Sequence, residues 1–370
     1  MKALQTKTVE VLDTRPKAPL RFISTSGSPY ERGYQYGEQL SSVIGRFVDY
    51  LVVSYNKLLG RSRDQLLHEA RKYSPFIESY SPEIYEEIKG ISEGSGRTLD
   101  EIVMAIAYYE ISESRSGGCT GFASTGRATA DGYPVIGQTW DDCIEYWWDG
   151  DISVLLSMTP KSGPNILAYT YPAIPAAAGT NSAGITICWN SIHNEESQLG
   201  VPTYVIVRDI LMQRSIGDAL GSVIRAKRAE SFNFMLSDEN GELYDVEATP
   251  SDMDIMYSDD VLVHANHFVS KKLKVKDDKI LAVLPDTVVR HNRMQKLLKH
   301  NYGSINLEKG FEMLRDHVNY PWSICKHADK NRRIIFDFTY ASWVIMPSRR
   351  ELWITHGIPC ESEYQKYIVT

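Results

Sequence analysis

No stretch of the 370-residue chain approaches the roughly 20 apolar residues that a membrane-spanning helix requires. The opening stretch Met1–Leu20 has no apolar core of signal-peptide length, and no Asn-x-Ser/Thr acceptor occurs anywhere. The last residues, Tyr367-Ile368-Val369-Thr370, are not a peroxisomal Ser-Lys-Leu type tail. Cytoplasmic residence is therefore the expectation, with no membrane partner. A basic excess is also missing: the formal net charge is -7, which argues against a general nucleic-acid binder. The lysines Lys271, Lys272, Lys274, Lys276 and Lys279 are broken by Asp277 and Asp278 and read as a solvated surface. Cysteine is scarce. Cys119, Cys143, Cys188, Cys325 and Cys360 are odd in number and scattered, unlike a disulfide framework or a Cys-x-x-Cys metal site. There is no Walker loop and no His-Glu-x-x-His, and the glycines from Gly27 to Gly37 lack dinucleotide-binding spacing. Neither a metal nor a bound cofactor is expected.

What remains is an ordinary globular composition, 43% hydrophobic and 24% charged, long enough for one large domain or two ordinary ones. The first third reads as helical. Ser28-Pro29-Tyr30-Glu31 carries an N-cap serine, a proline at the first helical position and a glutamate at the third, before a helix to about Leu59. Gly33 and Gly37 share one face of it, where another backbone can approach closely. Ser81-Pro82-Glu83 and Thr98-Leu99-Asp100-Glu101 start two further helices. The character changes at the linker Ser114-Arg115-Ser116-Gly117-Gly118. Beyond it, strands are expected near 119–125, 134–140, 151–158, 165–171 and 183–190, then 231–237, 242–248 and 261–265 around an Asn240-Gly241 turn. Helices follow near 203, 216–227, 286–300 and 307–316, and strands near 333–339, 342–347 and 351–355. That order suits sheets packed face to face with helices outside.

Four places carry chemical content. Cys119 begins a strand directly after two glycines, whose conformational freedom allows a strained, exposed Gly118–Cys119 peptide. A thiol beside such a peptide can attack the preceding carbonyl, and hydrolysis then frees the α-amine of Cys119 to act as the thiol's general base. The plain alternative is a buried core cysteine. Gly137-Gln138-Thr139-Trp140-Asp141-Asp142 ends a strand that a hairpin would lay beside Cys119, where an aspartate can hold a charged amine. His264-Ala265-Asn266-His267 offers an amide donor at Asn266 for a developing oxyanion, while His264 and His267 read as structural. Arg290, Arg293, Arg332 and Arg333 are each eligible to bind a substrate carboxylate or to steady a charge near the nucleophile. Trp140, Tyr146, Trp147 and Trp148, mixed with Asp141, Asp142, Glu145 and Asp149, make an aromatic and acidic stretch suited to an amine.

In their order along the chain these blocks resemble the acyl-coenzyme A:6-aminopenicillanic acid acyltransferase family of N-terminal nucleophile hydrolases. The likeness includes Gly27-Ser28-Pro29-Tyr30-Glu31-Arg32-Gly33-Tyr34, Tyr85-Glu86-Glu87-Ile88-Lys89-Gly90-Ile91, Gly118-Cys119-Thr120 and Gly137 to Asp141. It continues through Thr180-Asn181-Ser182-Ala183-Gly184-Ile185, Val263 to His267, Leu284-Pro285-Asp286, Arg290-His291-Asn292-Arg293-Met294 and Asn319 to Cys325. The resemblance implies an α+β fold, a four-layer αββα sandwich, made as a precursor and cut between Gly118 and Cys119. Residues 1–118 would become a small, mostly helical subunit and 119–370 the strand-rich catalytic segment, both within one structural domain. It implies Cys119 as nucleophile, Asp141 as its aspartate and Asn266 as the oxyanion donor. Thr120, Trp140, Asn181 and Arg332 (or Arg333) fall at substrate-binding or electrostatic positions. Lys326 stands where the family has arginine, and Thr139 where it has asparagine.

The expected activity is cleavage or transfer of an acyl group at an amide or thioester bond through a Cys119 acyl-enzyme. The partners would be a small N-acyl amine, N-acyl amino acid or peptide-like substrate and an amine acceptor, with a coenzyme A thioester eligible as acyl donor. Self-association is left open. The rival readings are a Cys/His peptidase using His264 or His267, and a non-catalytic small-molecule-binding protein on the same fold.

Overall fold

The computed structural model describes residues 14–16, 18–112, 118–142, 152–192, 194, 196–274, 281, 284–329 and 337–370. The first element is a strand, β1 (Arg21–Gly27), within the third read as helical from sequence. Only Ile23 and Thr25 of it are buried, so it lacks the apolar signature of the other strands. Helix α1 (Pro29–Leu59) then starts at the expected cap: the Ser28 hydroxyl accepts from the Glu31 N–H, and the Glu31 carboxylate accepts from the Ser28 N–H. It stops at Gly60, whose φ of 66° ends a helix without strain on a Cβ.

Helix α4 (Pro82–Ser95) packs on the glycine face of α1. A Cβ on Gly33 would lie 1.9 Å from the Glu87 carbonyl oxygen, and one on Gly94 2.1 Å from that of Tyr34. The two backbones therefore touch, and only glycine permits it. Beside this crossing Arg32 of α1 reaches Glu87 of α4 at 2.8 Å, and Arg208 of α7 (Thr203–Ile210) reaches the same oxygen at 2.9 Å, all three buried. Helices α2 (Arg63–Arg71), α3 (Ser74–Tyr80), α5 (Leu99–Ile106) and α6 (Tyr108–Ser112) lie between them in sequence.

Two sheets follow. The larger has eight strands in the order β1-β4-β5-β6-β7-β8-β9-β10. Its further members are β4 (Val154–Pro160), β5 (Ile166–Thr170), β6 (Ala178–Asn181), β7 (Thr186–Ser191), β8 (Phe232–Ser237), β9 (Leu243–Ala248) and β10 (Met253–Tyr257). β1 pairs with β4 in parallel, so chain from before Cys119 is built into a sheet made by chain from after it. The smaller sheet runs β11-β2-β3-β12-β13-β14. It comprises β2 (Thr120–Ser124), β3 (Val135–Asp142), β11 (Val261–His264), β12 (Phe338–Met346), β13 (Glu351–His356) and β14 (Gln365–Ile368). Of the expected strands 333–339 and 342–347, residues 333–336 lie outside the described residues, and the described remainder falls largely in one strand, β12. β6, β10 and β14 fall outside every strand expected from sequence.

Strands β2 and β3 face β7 and β8 across the interior, and all four are buried along their whole length. Trp343 Nε1 of one sheet donates to Cys188 Sγ of the other at 3.2 Å. Outside the larger sheet lie α1 and α8 (Ile216–Arg225). Outside the smaller lie α9 (Asp286–His300) and α10 (Leu307–Leu314). The result is a four-layer αββα sandwich of the α+β class, as expected. Among the described residues no helix is long and apolar enough to cross a membrane.

Candidate active site

The expected hairpin forms. β2 and β3 pair antiparallel with Thr120 opposite Thr139, which sets Cys119, just before β2, beside Asp141 near the end of β3. Cys119 Sγ donates to the Asp141 carbonyl oxygen at 3.5 Å and is buried. Burial pushes the thiol well above its ordinary pKa, the Asp141 carboxylate pushes it further, and Arg290 opposes both only weakly. In the intact chain the sulfur is therefore held as a thiol, and it needs a base before it can attack anything.

Asp141 is itself unusual. Its Oδ1 accepts from Thr339 Oγ1 at 2.7 Å. Its Oδ2 is buried without a hydrogen-bond partner among the described residues, and Lys326 Nζ lies 3.9 Å away. Burial raises the carboxyl to about 7 even though Lys326 and Arg290 pull it down. A buried carboxylate oxygen without a donor costs on the order of 1–3 kcal/mol unless something cationic reaches it.

Arg290, one of four arginines singled out from sequence, is the hub. It projects from α9, fully buried, and uses its fixed fork of donors in three directions. Nη1 donates to the Cys119 carbonyl at 2.7 Å and to Thr120 Oγ1 at 2.8 Å; Nη2 donates to Asn266 Oδ1 at 2.9 Å. Nε pairs with Asp286 one turn earlier at 3.0 Å. Lys326 Nζ sits 2.6 Å from Asp337 and 3.2 Å from Asp286. Sequence reasoning named Asp286 and Lys326 only as parts of matching blocks and missed Asp337 and Thr339. The Asp286 and Arg290 spacing of four on a helix was the available signal.

Asn266 follows β11. With Oδ1 taken by Arg290, its amide nitrogen faces Ser191, donating to the Ser191 carbonyl at 3.0 Å. Its backbone N–H donates to Thr287 Oγ1 at 2.7 Å. Gly118 earns its place differently from the expectation. It has no positive φ; instead a Cβ there would lie 2.2 Å from Lys326 Nζ and 2.9 Å from Arg290 Nη2.

The remaining predicted residues are placed as follows. Thr120 is bound by Arg290 as described. Trp140 is buried among Trp189, Tyr169, Tyr171 and Trp343, and its Nε1 donates to the Tyr171 hydroxyl at 2.8 Å. Asn181 holds the β6–β7 turn and the chain after α7: Nδ2 donates to the carbonyls of Leu211 and Gln213, and Oδ1 accepts from Ala183 and Ile185. None of these bonds reaches Cys119, Asp141 or Asn266. Arg332 and Arg333, and the aromatic and acidic residues Glu145 to Asp149, lie outside the described residues. Next to the site, Asp142 accepts from the Tyr108 and Tyr171 hydroxyls, both at 3.2 Å.

Neither histidine serves the sulfur. His264 Nε2 lies 2.8 Å from Glu247 and Nδ1 lies 2.7 Å from the Ala265 carbonyl; His267 Nδ1 bonds Thr287 Oγ1 at 2.9 Å. Elsewhere, cysteines whose spacing suggests neither a disulfide framework nor a metal site come together: Cys325 and Cys360 lie beside His317 and His327.

Cys119 stands at the head of an inner strand, within two facing sheets flanked by helices, as the candidate nucleophile of an acyl-transferring enzyme. The model of the acyl-coenzyme A:6-aminopenicillanic acid acyl-transferase family matches residues 129–359, and the chain belongs to that family. It is 26% identical over 312 residues to an acyl-coenzyme A:6-aminopenicillanic-acid-acyltransferase 40 kDa form of Emericella nidulans, covering 82% of this chain and 84% of that one. It is 24% identical over 390 aligned positions to an uncharacterized protein of Archaeoglobus fulgidus, covering 90% of this chain and 63% of the relative's length. Among solved structures it is similar to a conjugated bile acid hydrolase from Clostridium perfringens, at 14% identity and TM-score 0.46, over 68% of this chain and 97% of that one. Penicillin V acylase from Agrobacterium tumefaciens matches at 14% identity and TM-score 0.44, over 64% and 83% of the two chains.

Proposed function

We propose that this enzyme cuts its own chain between Gly118 and Cys119 and then cleaves or transfers acyl groups of small N-acyl amines through a Cys119 thioester. The observation that carries this reading is the buried Asp141 Oδ2, which has no hydrogen-bond donor among the described residues. An α-ammonium released at Cys119 would supply a hydrogen-bond donor to this oxygen at closer range than Lys326, 3.9 Å away, and the corresponding amine would supply the base that the thiol lacks.

In the first step Cys119 Sγ attacks the Gly118 carbonyl carbon. The Gly118–Cys119 C–N bond breaks, a thioester forms, and the thiol proton passes to the departing amine. Water hydrolyses the thioester, leaving a Gly118 carboxylate and a free thiol with its own amine beside it. In turnover the amine takes the thiol proton, the thiolate attacks the substrate acyl carbon, and the proton returns to the leaving amine or coenzyme A thiolate. Asn266 supplies an amide donor to the oxyanion, worth roughly 3–4 kcal/mol in comparable sites. The acyl group then passes to water or to an acceptor amine. The family's name and that of the Emericella nidulans relative are those of an acyltransferase acting with acyl-coenzyme A and 6-aminopenicillanic acid, which supports transfer to an amine; hydrolysis is the same chemistry with water as acceptor.

The two commitments of the His264 ring nitrogens disfavour a Cys/His peptidase. The deciding experiment is intact mass spectrometry of purified wild type and Cys119→Ala, with and without N-acyl amines and acyl thioesters. The expected wild-type result is two fragments meeting at Gly118/Cys119 and an acyl adduct on the Cys119 fragment. Cleavage and amide turnover persisting in Cys119→Ala would overturn the reading, and a single uncut, adduct-free wild-type species would favour a non-catalytic binding protein.

A further inference from the structure

We propose that His317, Cys325, His327 and Cys360 form a four-ligand site for one divalent ion of the zinc type, which clamps the β13–β14 connection onto the segment that carries Lys326. The four donor atoms lie within 4.8 Å of one another. Zinc bound tetrahedrally by two thiolates and two imidazoles would set nitrogen pairs about 3.3 Å apart and sulfur–nitrogen pairs about 3.6 Å apart. The observed separations are 3.2 Å between His317 Nε2 and His327 Nε2, 3.8 Å from Cys325 Sγ to His327 Nε2, and 3.4 Å from Cys360 Sγ to the same nitrogen. These three separations are close to the edges of such a tetrahedron, and the other three are no longer than 4.8 Å.

Hydrogen bonding alone does not account for the cluster. A ring nitrogen has either one proton or one lone pair in the ring plane, so His327 Nε2 can make one good bond, yet three donor groups crowd it. A central ion uses all four lone pairs at once. The S2N2 donor set is also the one that selects zinc over hard cations. The other ring nitrogen of His327, Nδ1, lies 3.8 Å from the Glu361 carboxylate, the type of partner that orients a metal-bound imidazole. The site is half open: Cys325 and His327 are buried while His317 and Cys360 face solvent, which leaves an entry path.

The backbone is set before any ion arrives. Cys325 N–H donates to the Asp316 carbonyl at 3.1 Å and His327 N–H to that of Pro321 at 2.9 Å. Arg315 fastens the far side, donating to the Pro359 carbonyl at 2.7 Å and to that of Ser362 at 3.2 Å. Two of the ligands flank Lys326, whose ammonium reaches the opposite way into the carboxylates Asp337, Asp286 and Asp141. An ion holding Cys325 and His327 would thus fix the height of Lys326 beneath Gly118. The spacing His317-x7-Cys325-x-His327, with Cys360 more than thirty residues on, matches no compact metal signature, so sequence reading passes over it.

Metal analysis of the purified full chain, followed by replacement with cobalt(II), tests this. The expected result is about one zinc per chain. Cobalt should give thiolate-to-cobalt charge-transfer absorption with intense visible bands of tetrahedral geometry. Cys360→Ser, at an exposed position, should lose most of the metal and the charge-transfer intensity, and chelation should lower Tm in wild type but not in this variant. Wild type that takes up neither zinc nor cobalt, or takes up as much as Cys360→Ser, overturns the proposal. So does thiol titration showing Cys325 and Cys360 joined as a disulfide. None of these readouts depends on activity, so they stand or fall apart from the chemistry at Cys119.

Discussion

Arg290 Nη2 donates to Asn266 Oδ1 at 2.9 Å, and this bond decides which way the Asn266 amide faces. The same guanidinium holds the Cys119 carbonyl, so one side chain positions the nucleophile strand and the proposed oxyanion donor together. Lysine keeps the charge but has no planar fork. Arg290→Lys should fold, since burial still finds Asp286, yet lose kcat by about 10²-fold, close to the 10²–10³-fold expected for Asn266→Ala. The double variant should be little worse than either single one, because both act on one donor. Steady-state kinetics on an N-acyl amine checks this, and full additivity of the two losses would sink it.

Gly118 is set against charged ends that are themselves pinned. An added methyl would meet Lys326 Nζ at 2.2 Å, while that ammonium is already held by Asp337 at 2.6 Å. Gly118→Ala must therefore move either the lysine or the peptide to be cut. The expected outcome is uncut chain that accumulates, with cleavage at least tenfold slower by a mass-resolved time course, and a stability loss of about 1–3 kcal/mol. Gly217→Ala, on α8 where a Cβ meets only Ser215 Oγ at 4.0 Å, serves as the unaffected control. Cleavage of Gly118→Ala at the wild-type rate would remove the geometric role given to this glycine.

The parts legible in the sequence were those written locally. The Ser28, Ser81 and Thr98 caps start α1, α4 and α5 where read, because a cap is a matter of three or four adjacent residues. The β2–β3 hairpin and the helix faces of Gly33 and Gly37 were legible for the same reason. β1 was not, because it is an edge strand whose partner β4 lies more than a hundred residues away and whose side chains are half exposed. The convergence of Arg290, Lys326, Asp286 and Asp337 was equally hidden: it depends on a helix, a loop and a strand end that only the layered packing brings together. Cys119, Asp141 and Asn266 could be nominated from their blocks, but nothing local says that Asp141 keeps one oxygen without a donor among the described residues.

His264 should impose an alkaline limit on stability. Burial works against charging it, but Asp245 and then Glu247 outweigh burial and raise its pKa to about 9. Both ring nitrogens face acceptors, Glu247 and the Ala265 carbonyl, as an imidazolium requires. A pKa raised above the unfolded value of about 6.5 contributes stability that is fully present below that pH and lost as pH rises through 9. Urea unfolding at pH 6.5 and 9.5 should show wild type losing on the order of 3 kcal/mol more than His264→Gln, whose side chain does not titrate. Parallel losses in the two proteins would mean that His264 is neutral in the fold.

The strongest single test of the helical layer is Glu87. Its carboxylate is buried between Arg32 at 2.8 Å and Arg208 at 2.9 Å, joining α1, α4 and α7 at the glycine crossing. Burial alone would raise its pKa, but Arg208 and Arg32 outweigh burial and hold it below the ordinary range. Removing it leaves the buried Arg208 without its carboxylate partner and Arg32 with only the half-exposed Glu83, 3.2 Å away. Glu87→Ala should therefore cost about 3–5 kcal/mol. Glu87→Gln, which keeps the shape and one acceptor, should recover part of that loss. Because a lowered carboxyl pKa gives stability present at neutral pH and lost as pH falls, wild type should also lose stability on acidification faster than Glu87→Gln. Chemical unfolding of the three proteins at pH 7 and pH 4 measures both effects. A Glu87→Ala loss below about 1 kcal/mol would show that Arg32 and Arg208 reach solvent when unpaired.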